Sequence, residues 1–419
     1  MSFTFSTGDA SASVLASIAV TVILTGFVAA TYGFGFYLFA QLVPDMRRDL
    51  CFDYATVGVI TASAQCGFLL FAMLGGWLTP RIGGGQVVVG SALLCGLCLI
   101  LLSVVKEVPA MAALLVVMGG AAASVYVPMI ELVGRVVAYR HRGKVLGLLS
   151  SGTSYGVFLN SLLVPPFIAA GNWQGVWLTV GSLTLAITAV GAFTFWRLGL
   201  IQAPMRSTTR AGDTKVGMYR FLVPWVILIW LMTFLNGLSM MPFQTYLSPY
   251  LREELGFGTS FAAKVWATLG IIGMVAGFAV GWLSDRIGVR FSLVLSYACT
   301  AGAAIILILA PVGIMPMIAG VLFALAFYPV FGLVPAYVSK MTDGRTATRV
   351  FAVANVTLGV GGICGNFAGG ILKNATGSFV QIYEAITLIA VLLSIASLLL
   401  PSETRYQSGK QADAGTGAQ

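Results

Sequence analysis

Charge is scarce in this sequence, and histidine is nearly absent. Asp, Glu, Lys and Arg make up 9% of the 419 residues, whereas an ordinary soluble domain carries about 25%. His141 is the one histidine, so neither a metal site nor a catalytic triad can be assembled around it. Cys95 and Cys98 form a C-x-x-C spacing inside an apolar run, where cysteine acts as a small packing residue. We therefore expect no enzyme activity, no metal and no cofactor.

Apolar residues take the place of the missing charge. They account for 58% of the chain, and runs such as 14–42 and 379–400 reach the roughly 20 residues needed to cross about 30 Å of hydrocarbon. The backbone in lipid must satisfy its own hydrogen bonds, so runs of this length form helices. The short alternating segments of a β-barrel are absent. These features predict an all-α membrane protein.

Breaks in hydropathy divide the chain into twelve predicted transmembrane helices, six on either side of a polar segment. Residues 1–13 hold no Lys or Arg, and the first apolar run is too long for a cleavable signal, so we expect that run to remain as the first span. The spans are predicted near 14–43, 55–78, 86–105, 109–135, 145–169, 174–196, 221–247, 261–283, 291–310, 315–339, 349–372 and 379–400. The expected organisation is a cytoplasmic N-tail 1–13, an N-terminal six-helix bundle 14–196, a cytoplasmic linker 197–220, a C-terminal six-helix bundle 221–400 and a disordered cytoplasmic tail 401–419.

The basic residues predict the orientation, because cytoplasmic loops carry an excess of Lys and Arg. With the N-terminus inside, sixteen of the 23 lie on the cytoplasmic side, Arg135 lies within a span, and six lie outside. This distribution predicts a multi-pass protein of a bacterial inner membrane with both termini cytoplasmic. It also explains the net charge of +9 without a nucleic-acid partner. The expected partners are a small-molecule substrate, membrane lipids and, as a hypothesis, protons, and we expect a monomer. The six outside residues are Arg47, Arg48, Lys106, Arg252, Lys264 and Lys373.

One polar loop occurs twice, 205 residues apart. The stretch GWLSDRIGVR at 281–290 repeats GWLTPRIGGG at 76–85. The same offset relates Arg135 to Lys340. A constant offset over such distances predicts two similar halves with matching loop lengths. This is the plan of transporters whose substrate lies near the midplane at the interface of the repeats.

The loop resembles the signature G-x-L-x-D-R-x-G-x-R of the major facilitator superfamily. The copy between the eighth and ninth spans is complete, whereas the earlier copy has Pro80 at the Asp place and Gly85 at the last basic place. RGKVLG at 142–147 is similar to the opening of the family's fifth helix. The resemblance covers about residues 14–400. It implies two pseudo-symmetric six-helix bundles, the major facilitator fold, working by rocker-switch alternating access.

The first span resembles particular branches of that superfamily. YGFG at 32–35, followed by Pro44, is similar to monocarboxylate and oxalate/formate porters. It is also similar to the YbfB/YjiJ-type group, which often has a basic residue where Phe36 stands. The exporter signature of the fifth helix is incomplete, because Val157 replaces the proline expected after Gly156. The subfamily is left open between these branches.

The resemblance implies that the loop residues form a latch that holds one conformation. Asp285 and Arg286 lie between the end of one helix and the start of the next, where Asp can cap a neighbouring helix and pair with Arg. A plain solvated turn is the alternative. Pro80 can accept no such bond, so we expect an asymmetric latch. The predicted gating residues are Gly281, Asp285, Arg286, Gly288, Arg290 and Arg81.

Glu131 and Arg135 are charged residues within a predicted span. They are four residues apart and share a helix face, with Glu on the favourable N-terminal side. A charge at the bilayer centre costs about 2.5–3.5 kcal/mol or more, so we expect the pair to face the bundle or a water-filled cavity. Two interpretations stay open. Glu131 couples protons while Arg135 binds an anion, or the two form a structural pair near the cytoplasmic end.

The substrate is expected to lie among polar and aromatic residues of the first, fourth, seventh and tenth spans. The resemblance implies that these helices line the cavity, although an isolated Asn or Gln in lipid more often bonds to a neighbouring helix. The predicted substrate-binding residues are Tyr32, Tyr126, Arg135, Asn236 and Tyr328, with Glu131 as the coupling residue.

The sequence as a whole predicts a secondary-active transporter of a small organic solute. An organic anion such as a monocarboxylate is preferred, because of Arg135, the first-span likeness and the incomplete exporter signature. Proton symport is a hypothesis, and uniport is left open. The alternative is an exporter of drug-like or amphiphilic compounds, which the many Phe, Met and Trp residues favour.

Overall fold

The computed structural model describes residues 10–137, 142–201, 223–342 and 344–402, and these ranges are helical with no strand. Eleven of their helices are long and apolar enough to cross a membrane, so the chain is a multi-pass membrane protein. The predicted fifth span is not among the eleven, and it is divided at Ser151 into two helices. His141 and both predicted tails beyond residues 10 and 402 lie outside the described residues, as does the predicted linker between 202 and 222.

Long helices follow one another in chain order, interrupted by two π-helical stretches. The helices are α1 (Ala10–Val28), α2 (Leu38–Leu50), α3 (Tyr54–Ile82), α4 (Gly84–Leu102), α5 (Val108–Val136), α6 (Arg142–Ser150), α7 (Gly152–Ala169), α8 (Trp173–Arg197), α9 (Pro224–Pro249), α10 (Thr259–Ile287), α11 (Val289–Leu309), α12 (Met315–Met341), α13 (Gly344–Thr376) and α14 (Val380–Leu399). The π-helical stretches are Ala29–Tyr37, called the π segment below, and Tyr250–Glu254.

Two compact units divide the chain. The first consists of Met1–Phe52 and Ser63–Thr209, and the second of Asp53–Ala62 and Arg210–Gln419. The beginning of α3 therefore belongs to the second unit. Gly58 shows why, since a Cβ there would lie 2.7 Å from the carbonyl oxygen of Asn366 on α13. The helices touch backbone to backbone at this point, as small residues permit in lipid.

The core of each unit is built from apolar and aromatic side chains. In the first unit Phe27 of α1 meets Phe195 of α8 edge to face, with ring centroids 6.0 Å apart. In the second, the rings of Phe243 and Phe323 stack with centroids 3.8 Å apart, joining α9 to α12. Between helices in lipid such packing supplies the attraction, because lipid tails are as apolar as the side chains.

The sequence repeat is visible in the helix contacts of the two units. A Cβ on Gly156 would lie 2.4 Å from the carbonyl oxygen of Ala29, and one on Gly361 would lie 2.0 Å from that of Phe234. Both the glycines and the carbonyls are related by the offset of 205. The first helix of each unit therefore approaches the fifth at a glycine in the same place.

Carboxylates repeat in the same way at the ends of these first helices. Asp49 accepts a hydrogen bond from Nε1 of Trp173, at 3.0 Å, where α8 begins. Glu254, 205 residues later, accepts one from the backbone nitrogen of Phe379, at 2.7 Å, where α14 begins. Each carboxylate lies at a helix N-terminus, where negative charge is favoured. The last helix of each unit is thus tied to the first.

Candidate functional site

The π segment interrupts the first membrane span at the YGFG stretch. π-helices are rare, mostly single turns, and frequent at functional sites, whereas this one covers nine residues. A Cβ on Gly33 would lie 2.4 Å from Cα of Gly156, so the segment presses against α7. Asn160 of α7 is fully buried, and its Nδ2 donates a hydrogen bond of 2.7 Å to the carbonyl of Gly33. Close packing and one amide thus hold the segment in place.

Four aromatic side chains gather at the π segment. The ring of Tyr32 lies 6.0 Å from that of Phe68 on α3 and 6.2 Å from that of Tyr126 on α5, and Phe36 lies 6.3 Å from Phe68, all between centroids. We call these four residues the aromatic cluster. Tyr126 is 41% exposed, and the other three are half-buried.

The two tyrosines of the aromatic cluster carry hydroxyl groups that are available for hydrogen bonding to a solute. Within the part of the chain that the structure describes, neither the Tyr32 nor the Tyr126 hydroxyl has a hydrogen-bond partner. A phenolic hydroxyl can both donate and accept. The cluster can therefore hold a solute with an acceptor group at the hydroxyls and an apolar part against Phe36 and Phe68.

The predicted pair of Glu131 and Arg135 forms at the end of α5. Nη2 of Arg135 donates to Oε1 of Glu131, and Arg135 is the penultimate residue of the helix. The other carboxylate oxygen lies 3.1 Å from where a Cβ on Gly84 would be. It is therefore beside the N-terminus of α4, where the helix dipole favours negative charge.

This ion pair lies apart from the aromatic cluster. Glu131 is five residues beyond Tyr126 and Arg135 is nine, which at 100° per residue turns their side chains by about 140° and 180° from Tyr126. Arg135 is also about 13 Å further along the helix axis. The structure does not bring Arg135 to Tyr32 and Tyr126. The end-of-helix position matches the structural interpretation of the pair, whereas the coupling and anion-binding roles stay predictions.

The predicted residues of the second unit lie on α9 and α12. Asn236 is buried, and its Oδ1 has no hydrogen-bond partner among the residues that the structure describes. Tyr328 is half-buried and packs edge to face on Phe327, with centroids 5.0 Å apart. A buried polar atom without a partner calls for an explanation such as a bound molecule. The roles of both residues stay predictions.

Both gating loops carry an arginine stacked on a tryptophan. The guanidinium carbon of Arg81 lies 3.3 Å from the centroid of the Trp77 ring, and that of Arg286 lies 3.7 Å from the Trp282 ring. The residues of each pair are four apart and so share a helix face. All four side chains are exposed.

The turn that follows each stack depends on glycine. Gly83 has φ 97° and Gly288 has φ 87°, values that glycine adopts readily because it has no Cβ. Asp285 is exposed, and no described residue forms a hydrogen bond or ion pair with its carboxylate. Arg286 stacks on Trp282, and the predicted pairing of Asp285 with arginine stays a prediction. Arg290 reaches the carbonyl of Leu398 at the end of α14.

Sequence reasoning missed Phe68 and the part that Phe36 and Gly84 play. Phe68 is one of many aromatic residues in apolar runs, and no local pattern marks it. The Trp–Arg stacks did have a signal, since the four-residue spacing recurs in both loops.

The fold and these loops are those of a known class of membrane transporters. A sequence model of the Major Facilitator Superfamily matches residues 25–366, and the chain belongs to this family. The predicted major facilitator fold is confirmed. A crystal structure of a mutant of the nucleoside transporter NupG is similar, with a TM-score of 0.74 over 92% of this chain and 99% of that one. Its sequence identity of 12% limits the likeness to the fold.

Three known proteins are similar in sequence to part of this chain. A probable sulfoacetate transporter from Cupriavidus necator is 24% identical over 58% of this chain and 59% of its own length. A monocarboxylate transporter from Danio rerio is 27% identical over 56% of this chain and 54% of its own. A probable nitrate/nitrite transporter from Mycobacterium tuberculosis is 25% identical over 68% and 71%. The chain thus aligns with little more than half the length of the first two.

Proposed function

We propose that this transporter carries a small organic anion, best a monocarboxylate with an apolar portion, by alternating access. The observation that carries the proposal is the aromatic cluster, with its two unpartnered tyrosine hydroxyls beside two phenylalanines. Hydroxyl groups donate to a carboxylate, and hydrogen bonds to a charged acceptor are stronger than neutral ones. The names of the three relatives add support, since each refers to an anionic solute.

The aromatic cluster also favours a solute that moves together with a proton. No charged side chain of the described residues lies in the cluster, and an uncompensated charge in an apolar setting is costly. A carboxylate accompanied by a proton is neutral overall, which suits such a site. We propose that Glu131 carries the coupling proton, because its position at the end of α5 makes the carboxylate reachable from water, and that Arg135 acts at the entrance.

Uptake into proteoliposomes tests the substrate class. We expect labelled lactate to be taken up, and the cation tetraphenylphosphonium to enter no faster than it enters protein-free liposomes. Tyr32→Phe and Tyr126→Phe should each raise the KM for lactate about tenfold or more, since a hydrogen bond to a charged group contributes about 1.5–3 kcal/mol. Tyr297→Phe is the matched control, because this buried hydroxyl has no partner in the described residues. Transport of the cation in place of lactate would instead establish the exporter of amphiphilic compounds.

The coupling role is tested with a pH gradient across the same vesicles. Glu131→Gln should abolish the acceleration of lactate uptake by an inward proton gradient, while counterflow without a gradient continues. If the gradient still accelerates uptake, Glu131 is only part of a structural pair. Arg135→Gln should then lower the thermal stability without changing the KM.

The gating loops are proposed to form an asymmetric latch on the cytoplasmic side. Asp285→Asn should slow transport far more than Pro80→Ala at matched expression, because proline has no side-chain acceptor to lose. Equal effects would contradict the latch.

The orientation is tested at Cys51, which is exposed where the first span ends. A membrane-impermeant maleimide should label it from outside intact cells, and Cys51→Ser should remove that labelling. Labelling of Cys51 only after the cells are opened would reverse the orientation.

A further inference from the structure

We infer that Asn160 is a positioning residue that holds Tyr32 in the aromatic cluster, because its amide binds the carbonyl of the next residue in the π segment. The inference rests on the proposed function only for its effect on solute affinity. Its geometrical part stands on contacts within the first unit and on the same contacts within the second.

The two units agree in register at the first residue of the π segment. Gly156 lies against the carbonyl of Ala29, and Gly361 lies against that of Phe234. Each residue of the first contact is 205 positions before its counterpart in the second. The two units therefore have the same helix register at this contact.

One turn later, the glycine that packs against the fifth helix of each unit differs by one position. A Cβ on Gly33 would lie 3.1 Å from the backbone nitrogen of Val157, and a Cβ on Gly237 would lie 2.7 Å from that of Gly362. Val157 and Gly362 are 205 positions apart, whereas Gly33 and Gly237 are 204 apart. In the first unit this glycine thus comes one residue later in the chain. A π-helical turn, with i→i+5 bonds in place of i→i+4, adds one residue, and the first unit has such a stretch here, whereas the second is α-helical over Pro224–Pro249.

The extra residue decides where Tyr32 points. By sequence, Tyr32 corresponds to Gly237, where a Cβ would lie 2.0 Å from the carbonyl oxygen of Leu358 and no side chain fits. In an uninterrupted α-helix Tyr32 would meet α7 in the same way. One residue corresponds to a rotation of about 100°. That rotation carries the ring to α3 and α5, where it meets Phe68 and Tyr126.

Asn160 marks the difference between the units at this contact. Its counterpart Gly365 has no side chain, and a Cβ there would lie 2.5 Å from the carbonyl oxygen of Leu238. In the first unit the Asn160 amide donates to the carbonyl of Gly33, which is the counterpart of Leu238 at the sequence offset of 205. Irregular backbone at membrane depth needs such a donor, because lipid offers none. Asn160, whose counterpart Gly365 has no side chain, is therefore bonded to Gly33, the residue after Tyr32.

Hydrogen exchange on the purified protein tests the helix geometry without any substrate. In Asn160→Leu we expect the amides of residues 33–38 to exchange at least tenfold faster than in the wild type. Asn160→Ala removes the amide without adding volume and is measured in parallel, in case the leucine variant does not fold. Ser161→Ala is the matched control, because this buried hydroxyl bonds only within α7, to the carbonyl of Phe158. Unchanged protection in a folded Asn160 variant would overturn the inference.

A double-mutant cycle tests whether Asn160 acts through Tyr32. Asn160→Ala should raise the KM for lactate with little change in kcat, and it should add nothing in the Tyr32→Phe background, since coupled residues are not additive. If the double variant instead raises the KM by the product of the two single factors, Asn160 has a structural role independent of Tyr32. If the wild type takes up no lactate, the proposed function fails, while the exchange experiment still decides the geometry.

Discussion

The two units share one framework but place their π-helical turns at different heights. The first unit inserts its extra residue within the span, at Ala29–Tyr37, and the second at the end of its first helix, at Tyr250–Glu254. Beyond both insertions the offset of 205 returns, since Asp49 and Glu254 hold the start of α8 and α14 in the same manner. A duplicated fold can therefore acquire a one-sided site by moving a single residue along a helix.

The two gating loops likewise share one contact and differ in their other polar groups. Both loops keep the Trp–Arg stack, but only the second has Asp285. At the last position of the motif Gly85 packs on the carbonyl of Leu200, where a Cβ would lie 2.2 Å away, whereas Arg290 donates to that of Leu398. The Trp–Arg stack recurs in both loops, whereas Asp285 and Arg290 have no charged counterpart in the first loop.

The largest expected effect tests the shared framework. Gly156→Ala and Gly361→Ala should each lower the free energy of unfolding by about 1–3 kcal/mol, because the added Cβ overpacks a backbone contact. Gly277→Ala is the control, since a Cβ there meets nothing within 4 Å. Unfolding in detergent measures all three. A loss in one unit alone would break the comparison.

The next effect concerns the side-chain cap at the start of α3. Oδ1 of Asp53 accepts hydrogen bonds from the Thr56 hydroxyl, at 2.6 Å, and the Thr56 backbone nitrogen, at 2.9 Å. These bonds, with help from Asn374, hold the pKa of Asp53 below its usual range. Asp53→Ala should cost about 1 kcal/mol at pH 7.

The pH dependence of this cap has a definite sign. A carboxyl with a lowered folded-state pKa contributes stability above its unfolded pKa of about 3.9, and loses it as the pH falls through the folded value. The stability difference between wild type and Asp53→Ala should therefore shrink below about pH 4. A difference that stayed constant from pH 7 to pH 3 would contradict the ionic part of the cap.

A smaller effect compares the stacks of the two loops. Trp77→Leu and Trp282→Leu should each lower stability by about 0.5–1 kcal/mol, the usual size of an exposed cation–π contact. Thermal unfolding of both variants measures the two effects. Trp173→Phe is not a suitable control, because Trp173 also donates a hydrogen bond to Asp49. A response from only one of them would show that the two stacks are not equivalent.

The smallest effect would make the caps alike. Gly258 begins α10 at the place equivalent to Asp53 and makes no side-chain cap bond. Gly258→Asp should raise stability by a few tenths of a kcal/mol, about the difference between Asp and Gly at an N-cap. No gain in melting temperature would mean that the new carboxylate does not reach the backbone of α10.

The sequence predicts the parts of the fold that depend on local pattern. Run length marks the spans, and one decapeptide marks the repeat and the family. The four-residue spacing predicts the bond between Glu131 and Arg135, although their position depends on where α5 ends. The π segment could not be predicted, because it exists through the contact of Gly33 with Gly156 and the bond from Asn160, which are distant in sequence. Phe68 reaches the aromatic cluster only through the way α3 packs.

The beginning of α3 has a consequence for how the chain is made. The backbone nitrogen of Tyr54 donates to Oδ1 of Asn374 at 3.2 Å, across 320 residues of sequence. Ribosomes add about 5–20 residues per second, so roughly 16–64 s separate the synthesis of these two partners. The second span must enter the bilayer with its first turns unmatched and wait for almost the last helix to be translated. Membrane insertion and completion of the native contacts are thus separate events in time for this helix.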